Sequence, residues 1–176
     1  MKPSKYQGDG LCDSIWYFAY GSNMDPGRLI NARLAPAGAS CFERVLGRLD
    51  DWALKFDKPS AYFPGAAAAN LAESSGAHVF GILNRISANG LEVLDHYENV
   101  ASGQYERVTV RVFRPDADEY LSATTYVARN NLDSQLKPRA AYLNHLLAGS
   151  DILPAAYIAQ LQSLPLCVEV EDRLPA

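Results

Sequence analysis

Two short segments of this chain combine residue types that can move a proton and hold an anion. The first spans residues 87–99 and reads Ser-Ala-Asn-Gly-Leu-Glu-Val-Leu-Asp-His-Tyr-Glu-Asn. Ser87 is placed to cap a helix whose apolar positions include Leu91 and Leu94. At about 100° per residue, Glu98 projects between those leucines, one turn after Leu94 and two turns after Leu91. Glu92, Asp95 and His96 fall mostly elsewhere. Burying a carboxylate without partners is costly. Burial also raises its pKa from about 4.3, which makes it a better proton acceptor near neutral pH. Spacing alone leaves a second reading open, in which the helix frays at Tyr97 and Glu98 simply reaches water. The second segment is Tyr20-Gly21-Ser22-Asn23, between an aromatic run and a helix start. Its glycine lets the backbone approach a ligand closely, and N–H groups entering a helix favour an anion such as a carboxylate. No G-x-G-x-x-G pattern and no P-loop lysine accompany it, so it is not a nucleotide fingerprint.

These segments need a scaffold, and the hydrophobic pattern supplies one. Residues 15–20 read as a buried strand, broken at Gly21. Asp25 followed by Pro26 predicts a helix N-cap with proline at the first helical position, the helix running through Leu29 and Ile30 to about Leu34. Trp52, Leu54 and Phe56 alternate with polar or small residues, as on a half-buried strand. Residues 65–71 and 79–83 read as two further short strands. Val108, Val110 and Val112 alternate with Arg107, Thr109 and Arg111, and residues 120–128 form the partner strand across a turn at 115–118. Pro138 opens a helix carrying Tyr142, Leu143, Leu146 and Leu147 that ends near Gly149. Pro154 opens another, carrying Tyr157, Ile158 and Leu161. Strands interrupted by irregularly placed helices indicate an α+β fold. Residues 1–14 read as a loose leader, and residues 15–176 as one domain.

Composition narrows the function classes. Sixteen lysines and arginines stand against 20 acids over 176 residues, a net charge of −4. That balance argues against a dedicated nucleic-acid binder, and no apolar run approaches a membrane span. Cys12, Cys41 and Cys167 are scattered and odd in number, which speaks against a disulfide framework and for a reducing cytoplasm. They show no zinc-site spacing with His78, His96 or His145, and no base accompanies them as nucleophiles. His145 reads as a helix-surface residue. Most of the ten tyrosines are expected to be core or interface rings with a wet hydroxyl, a few lining a polar pocket.

Taken together, these residues resemble the gamma-glutamylcyclotransferase family. Phe18-Ala19-Tyr20-Gly21-Ser22-Asn23 matches its opening motif, and Leu94-Asp95-His96-Tyr97-Glu98 with Gly103-Gln104-Tyr105 matches the segment holding its catalytic glutamate and a pocket tyrosine. Thr125-Tyr126 resembles the next strand, and Tyr142, seven residues before Gly149, the late helix. The likeness covers residues 16–165. Asn99 departs from the frequent glycine after the glutamate, and Ser150 from the frequent alanine after Gly149. The glutathione branch usually follows Tyr-Gly-Ser with leucine, so Asn23 points to the wider branch.

The resemblance implies a small mixed β-barrel flanked by helices, a small γ-glutamyl substrate, and no metal or organic cofactor. It implies Glu98 as the catalytic acid and base, with Tyr20, Gly21, Ser22, Asn23, Tyr105, Tyr126 and Tyr142 around the substrate. The leading rival is a non-catalytic binding module on the same fold, and a structural or interaction protein is the other. No cluster of arginines is visible near the motifs, and alternation puts Arg107 and Arg111 on a solvent face. Tolerance of varied leaving amines, with little preference for glutathione, is therefore expected.

Overall fold

Alternating apolar residues set five strands: β1 (Ser14–Ala19), β2 (Cys41–Pro59), β3 (Ala67–Ser87), β4 (Glu106–Arg114) and β5 (Glu119–Val127). The computed structural model describes residues 13–168. The strands close into a barrel in the order β1-β3-β2-β4-β5, with β1 and β5 parallel at Tyr17 and Thr124 and the other pairs antiparallel. Three α-helices, α1 (Gly90–Tyr97), α2 (Ala140–Leu147) and α3 (Ala155–Gln162), pack outside it. This is the expected small mixed barrel of α+β class. The expected leader lies outside the described residues except for its last two positions, and Ser14 already pairs with Ser87 in the barrel.

The alternation on β4 holds as read: Val110 and Val112 are buried, while Arg107, Thr109 and Arg111 face solvent. The middle of the chain differs from its sequence reading. Residues 67–87 form one 21-residue strand rather than two short ones, and it pairs with a 19-residue β2. Register shifts at Cys41/Glu43, Asp50/Trp52 and Lys55/Lys58 explain the difference. Each bulge flips which residues face inward, so a strand that is continuous in space loses its period of two in sequence.

Room inside the barrel is made by glycine. Gly47 and Gly81 stand opposite each other across β2 and β3. A Cβ at Gly81 would strike the Ala19 carbonyl and the Phe18 ring, and one at Gly47 would meet Phe18, Leu83 and Val112 within 3.0 Å. Phe18 fills that space and is fully buried, with Leu49, Leu71, Ile82, Leu83 and Ile86 also buried. Each such side chain contributes about 1.5–3 kcal/mol by leaving water.

Two connections bring the chemistry-bearing segments together. Asp25 caps the helix Gly27–Leu34 as expected, its Oδ1 accepting from the N–H groups of Gly27 (2.8 Å) and Arg28 (3.3 Å). That helix closes with a wider turn, Ala35 N–H returning to the Ile30 carbonyl five residues back. The other connection corrects the reading of Ser87. It is the last residue of β3, its hydroxyl accepting from Ser40 N–H (2.9 Å) and lying 2.6 Å from Asn89 Oδ1. α1 begins at Gly90 without a side-chain cap.

Candidate active site

Glu98 occupies the end of α1 and does not fray into water. Its N–H donates to the Leu94 carbonyl (2.8 Å), which carries the helical winding one residue past Tyr97. Asn99 then turns the chain away at φ 52°. That left-handed conformation is one that glycine adopts freely and asparagine tolerates, which accounts for asparagine where glycine is frequent. The carboxylate therefore points along the Leu91–Leu94 face into the molecule, with its side chain 18 % exposed. Burial pushes its pKa above the ordinary carboxylate value, and the nearby Arg33 guanidinium lowers it only in part.

Its partners come from the other connection. Oε1 accepts from Arg33 Nη1 (3.2 Å) and from Asn23 Nδ2 (3.3 Å). Asn23 is fixed in turn: its Oδ1 accepts from the same Arg33 nitrogen (2.7 Å), and its amide nitrogen donates to the Tyr17 hydroxyl (2.8 Å). Arg33 is itself buried and lies 4.7 Å over the Tyr97 ring. The sequence reading did not single it out, although the signal was present. Arg33 stands four residues after Leu29 on the buried face of its helix, the same kind of misplaced charge that marks Glu98.

Around this cluster lie two connected spaces. An inner niche of about 30 Å³ is lined by Tyr17, Tyr20, Gly21, Ser22, Asn23, Ala69, Glu98, Tyr105, Tyr126 and Tyr142. All eight residues singled out from sequence thus meet at one place, 75 positions apart in the case of Asn23 and Glu98. An outer groove of about 580 Å³ shares Ser22, Glu98, Tyr105 and Tyr142 with the niche and adds Arg28, Arg33, Lys58 and Arg139. The expectation of no arginine cluster is therefore corrected: the cations come from distant segments. Arg107, by contrast, is on the solvent face as expected, paired to Asp95 at 2.6 Å. His145 is also more engaged than a surface residue, its Nδ1 lying 2.8 Å from Asp25 Oδ2 at the groove wall.

The niche tyrosines divide by what their hydroxyls do. Tyr20 donates to the Tyr126 carbonyl, and Tyr126 to Asp95 Oδ1 (2.8 Å) and the Leu91 carbonyl (3.2 Å). Those two tie β1, β5 and α1 together. Tyr105 and Tyr142 instead serve a β-bulge. The Lys55/Lys58 shift leaves Ala69 without a ladder partner. Its carbonyl accepts from Tyr105 (2.9 Å), and its N–H donates to Tyr142 (2.9 Å). Burial raises the Tyr142 pKa, while the Ala69 and Ser22 amides hold it lower than burial alone would. With its oxygen accepting, the Tyr142 proton is available to a substrate. Gly21 belongs to the same contact, since a Cβ there would lie 3.2 Å from Tyr142 Oη and 3.3 Å from Ala69 Cβ.

The same bulge places Lys58. Its ammonium donates to Gln104 Oε1 (2.6 Å) and the Pro59 carbonyl (3.2 Å), and burial lowers its pKa. No group of three or more His, Cys, Asp or Glu gathers as metal ligands among the described residues. The arrangement suits chemistry in which a held carboxylate exchanges one proton with a bound substrate beside backbone and phenol donors.

Several known proteins are similar to this chain. Residues 78–161 match the model of the AIG2-like family. Human gamma-glutamylcyclotransferase is 29% identical over 156 residues, covering 86% of this chain and 79% of its own. The mouse protein of that name is 26% identical over the same shares. A solved gamma-glutamyl cyclotransferase superposes with a TM-score of 0.78 at 26% identity, covering 90% of this chain and 92% of that one. A yeast gamma-glutamyl cyclotransferase specific to glutathione shares the fold at 13% identity and a TM-score of 0.57, covering 85% and 94%. By its barrel, by the order of its motifs and by these relatives, the chain is an enzyme of the gamma-glutamylcyclotransferase type.

Proposed function

We propose that the enzyme cyclises the γ-glutamyl group of a small substrate to 5-oxoproline and releases an amine or amino acid. The observation that carries this reading is the buried Glu98 carboxylate, facing a niche with Ser22, Tyr105 and Tyr142. The substrate's α-amine attacks its own γ-carbonyl, forming a C–N bond and a five-membered ring. Glu98 takes one proton from the ammonium so that the neutral amine can attack, then a second from the attacking nitrogen once the new bond has formed. It passes both in turn to the leaving nitrogen, which departs as the old C–N bond breaks. Holding amine and carbonyl together supplies much of the acceleration, because ring closure is intramolecular. The Gly21 and Ser22 backbone amides hold the carboxylate or the developing oxyanion, and the Tyr142 hydroxyl proton is directed at the same oxygen.

Tyr20 and Tyr126 fix the walls, and Asn23 fixes the base. No metal or organic cofactor enters these steps. The reading takes residues 15–176 as one catalytic domain and the cytoplasm as its setting, supported by the scattered, odd number of cysteines. No helix among the described residues is long and apolar enough to cross a membrane. The test is release of 5-oxoproline across γ-glutamyl amino acids, γ-glutamylamines and glutathione. Turnover of at least one class is expected. Binding without release from every member would leave the non-catalytic module as the answer.

A further inference from the structure

The guanidinium of Arg33 is only partly used by the protein. Its Nη1 serves both Asn23 and Glu98. Nε and Nη2 have no protein acceptor among the described residues. The residue is 7 % exposed and lines the outer groove. A guanidinium offers five N–H donors in a rigid fork that matches a carboxylate through two parallel bonds. Donors left without acceptors at a desolvated site are unfavourable, so an anion arriving there gains more than at a surface arginine.

Charge around the pair sharpens the choice of ligand. Arg28, on the same helix, donates from Nε to Ser22 Oγ (3.1 Å) and adds a second positive charge. Tyr17, Tyr20, Tyr105 and Tyr142 face Glu98 from the barrel and from α2. Glu98 is the one acid lining either space among the described residues. A guanidinium touching a carboxylate is the complement of an α-carbon that bears a carboxylate beside an amine.

We propose that the free N–H edge of Arg33 receives the α-carboxylate of the γ-glutamyl head, while its Nη1 keeps Glu98 turned toward the neighbouring α-amine. This rests on the cyclotransferase reading, and it leaves the Gly21 and Ser22 amides to the oxyanion. Discrimination for the glutamyl head then depends on one buried side chain rather than on the loop backbone.

The test compares ligands that differ only in that carboxylate. For turnover these are γ-glutamyl-p-nitroanilide and 4-aminobutanoyl-p-nitroanilide, and for binding 5-oxoproline and 2-pyrrolidinone. The wild-type protein should favour the carboxylate member by roughly 10- to 100-fold or more in both measurements. Arg33→Met should bring both ratios close to one, and Arg33→Lys should restore part of each. Should Arg33→Met fail to fold, Arg33→Lys reads the same ratios. A variant that slows both anilides equally and keeps the binding ratio would overturn the proposal, leaving Arg33 as a support for Glu98 alone. So would a wild-type protein with no carboxylate preference. Binding selectivity that depends on Arg33, in a protein that releases no 5-oxoproline, would uphold Arg33 and sink the catalytic reading instead.

Discussion

The inner niche and the outer groove share four residues but are built differently. In the niche, hydroxyls and amides are committed to one another: Tyr17 to Asn23, Tyr20 to the Tyr126 carbonyl, and Tyr105 and Tyr142 to Ala69. In the groove, long cationic side chains stand among small alanines and serines, and the rim carries the exposed rings of Tyr62 and Phe63. Arg139 lies 3.8 Å over the Phe63 ring. The niche has about 30 Å³ of free space and the groove about 580 Å³. A reacting carbonyl needs groups that do not move, whereas a leaving group of variable size needs room. Substitutions in the niche should therefore act on kcat, and those in the groove on KM and substrate choice.

The largest effect belongs to Glu98→Gln, which keeps size and hydrogen bonding but cannot take a proton. A loss of roughly 100- to 10,000-fold in kcat is expected with binding largely kept, because general-base contributions have that size. Steady-state release of 5-oxoproline checks it, and near-normal turnover would remove Glu98 as the base. The same residue sets a pH dependence. Glu98 accepts only when ionised, so kcat/KM falls as pH drops through its pKa. Burial raises that pKa, so the acid limb should lie above the ordinary value of 4.5. A midpoint at or below 4.5 would contradict the desolvated site.

Next comes Tyr142→Phe, which removes a donor to the oxyanion and leaves the Ala69 N–H without its acceptor. A fall in kcat on the order of 100-fold is expected, as for loss of one oxyanion donor. Unfolding by urea should also show about 1–3 kcal/mol of lost stability from the orphaned amide. A change confined to KM would place Tyr142 with the groove instead.

A smaller, groove-side effect is expected for Lys58→Met. The ammonium has neutral oxygens as its acceptors among the described residues. Its removal should raise KM by up to roughly tenfold for substrates whose leaving group carries a carboxylate, and leave γ-glutamylamines nearly unchanged. Equal effects on both classes would erase the division between niche and groove. Smallest for catalysis is Asp25→Ala, which loses the cap on Gly27–Leu34 and the contact with His145. About 1 kcal/mol of stability should go, measured by denaturant unfolding, with kcat little altered.

What was legible in the sequence was local. The alternation of Val108, Val110 and Val112 set β4, Asp25-Pro26 set the capped helix, and Glu98 one turn after Leu94 set an acid on an apolar face. Those features depend on neighbours within a turn or a pleat, so periodicity carries them. Arg33 obeys the same rule, but an arginine four residues after Leu29 is equally compatible with the exposed side of a helix. Its meaning required Glu98, 65 positions later.

The barrel alone decided the rest. Three bulges erased the period of β2 and β3, and one of them freed the Ala69 peptide groups for two tyrosines and turned Lys58 toward the groove. A bulge depends on how two long strands pair with each other, which no window of neighbouring residues contains. Residue type and local spacing thus fix which side chains have the chemistry. Which charge faces which is fixed by the closed barrel, because electrostatic partners are chosen by distance in space and their cost by burial, and both exist only after the barrel has closed.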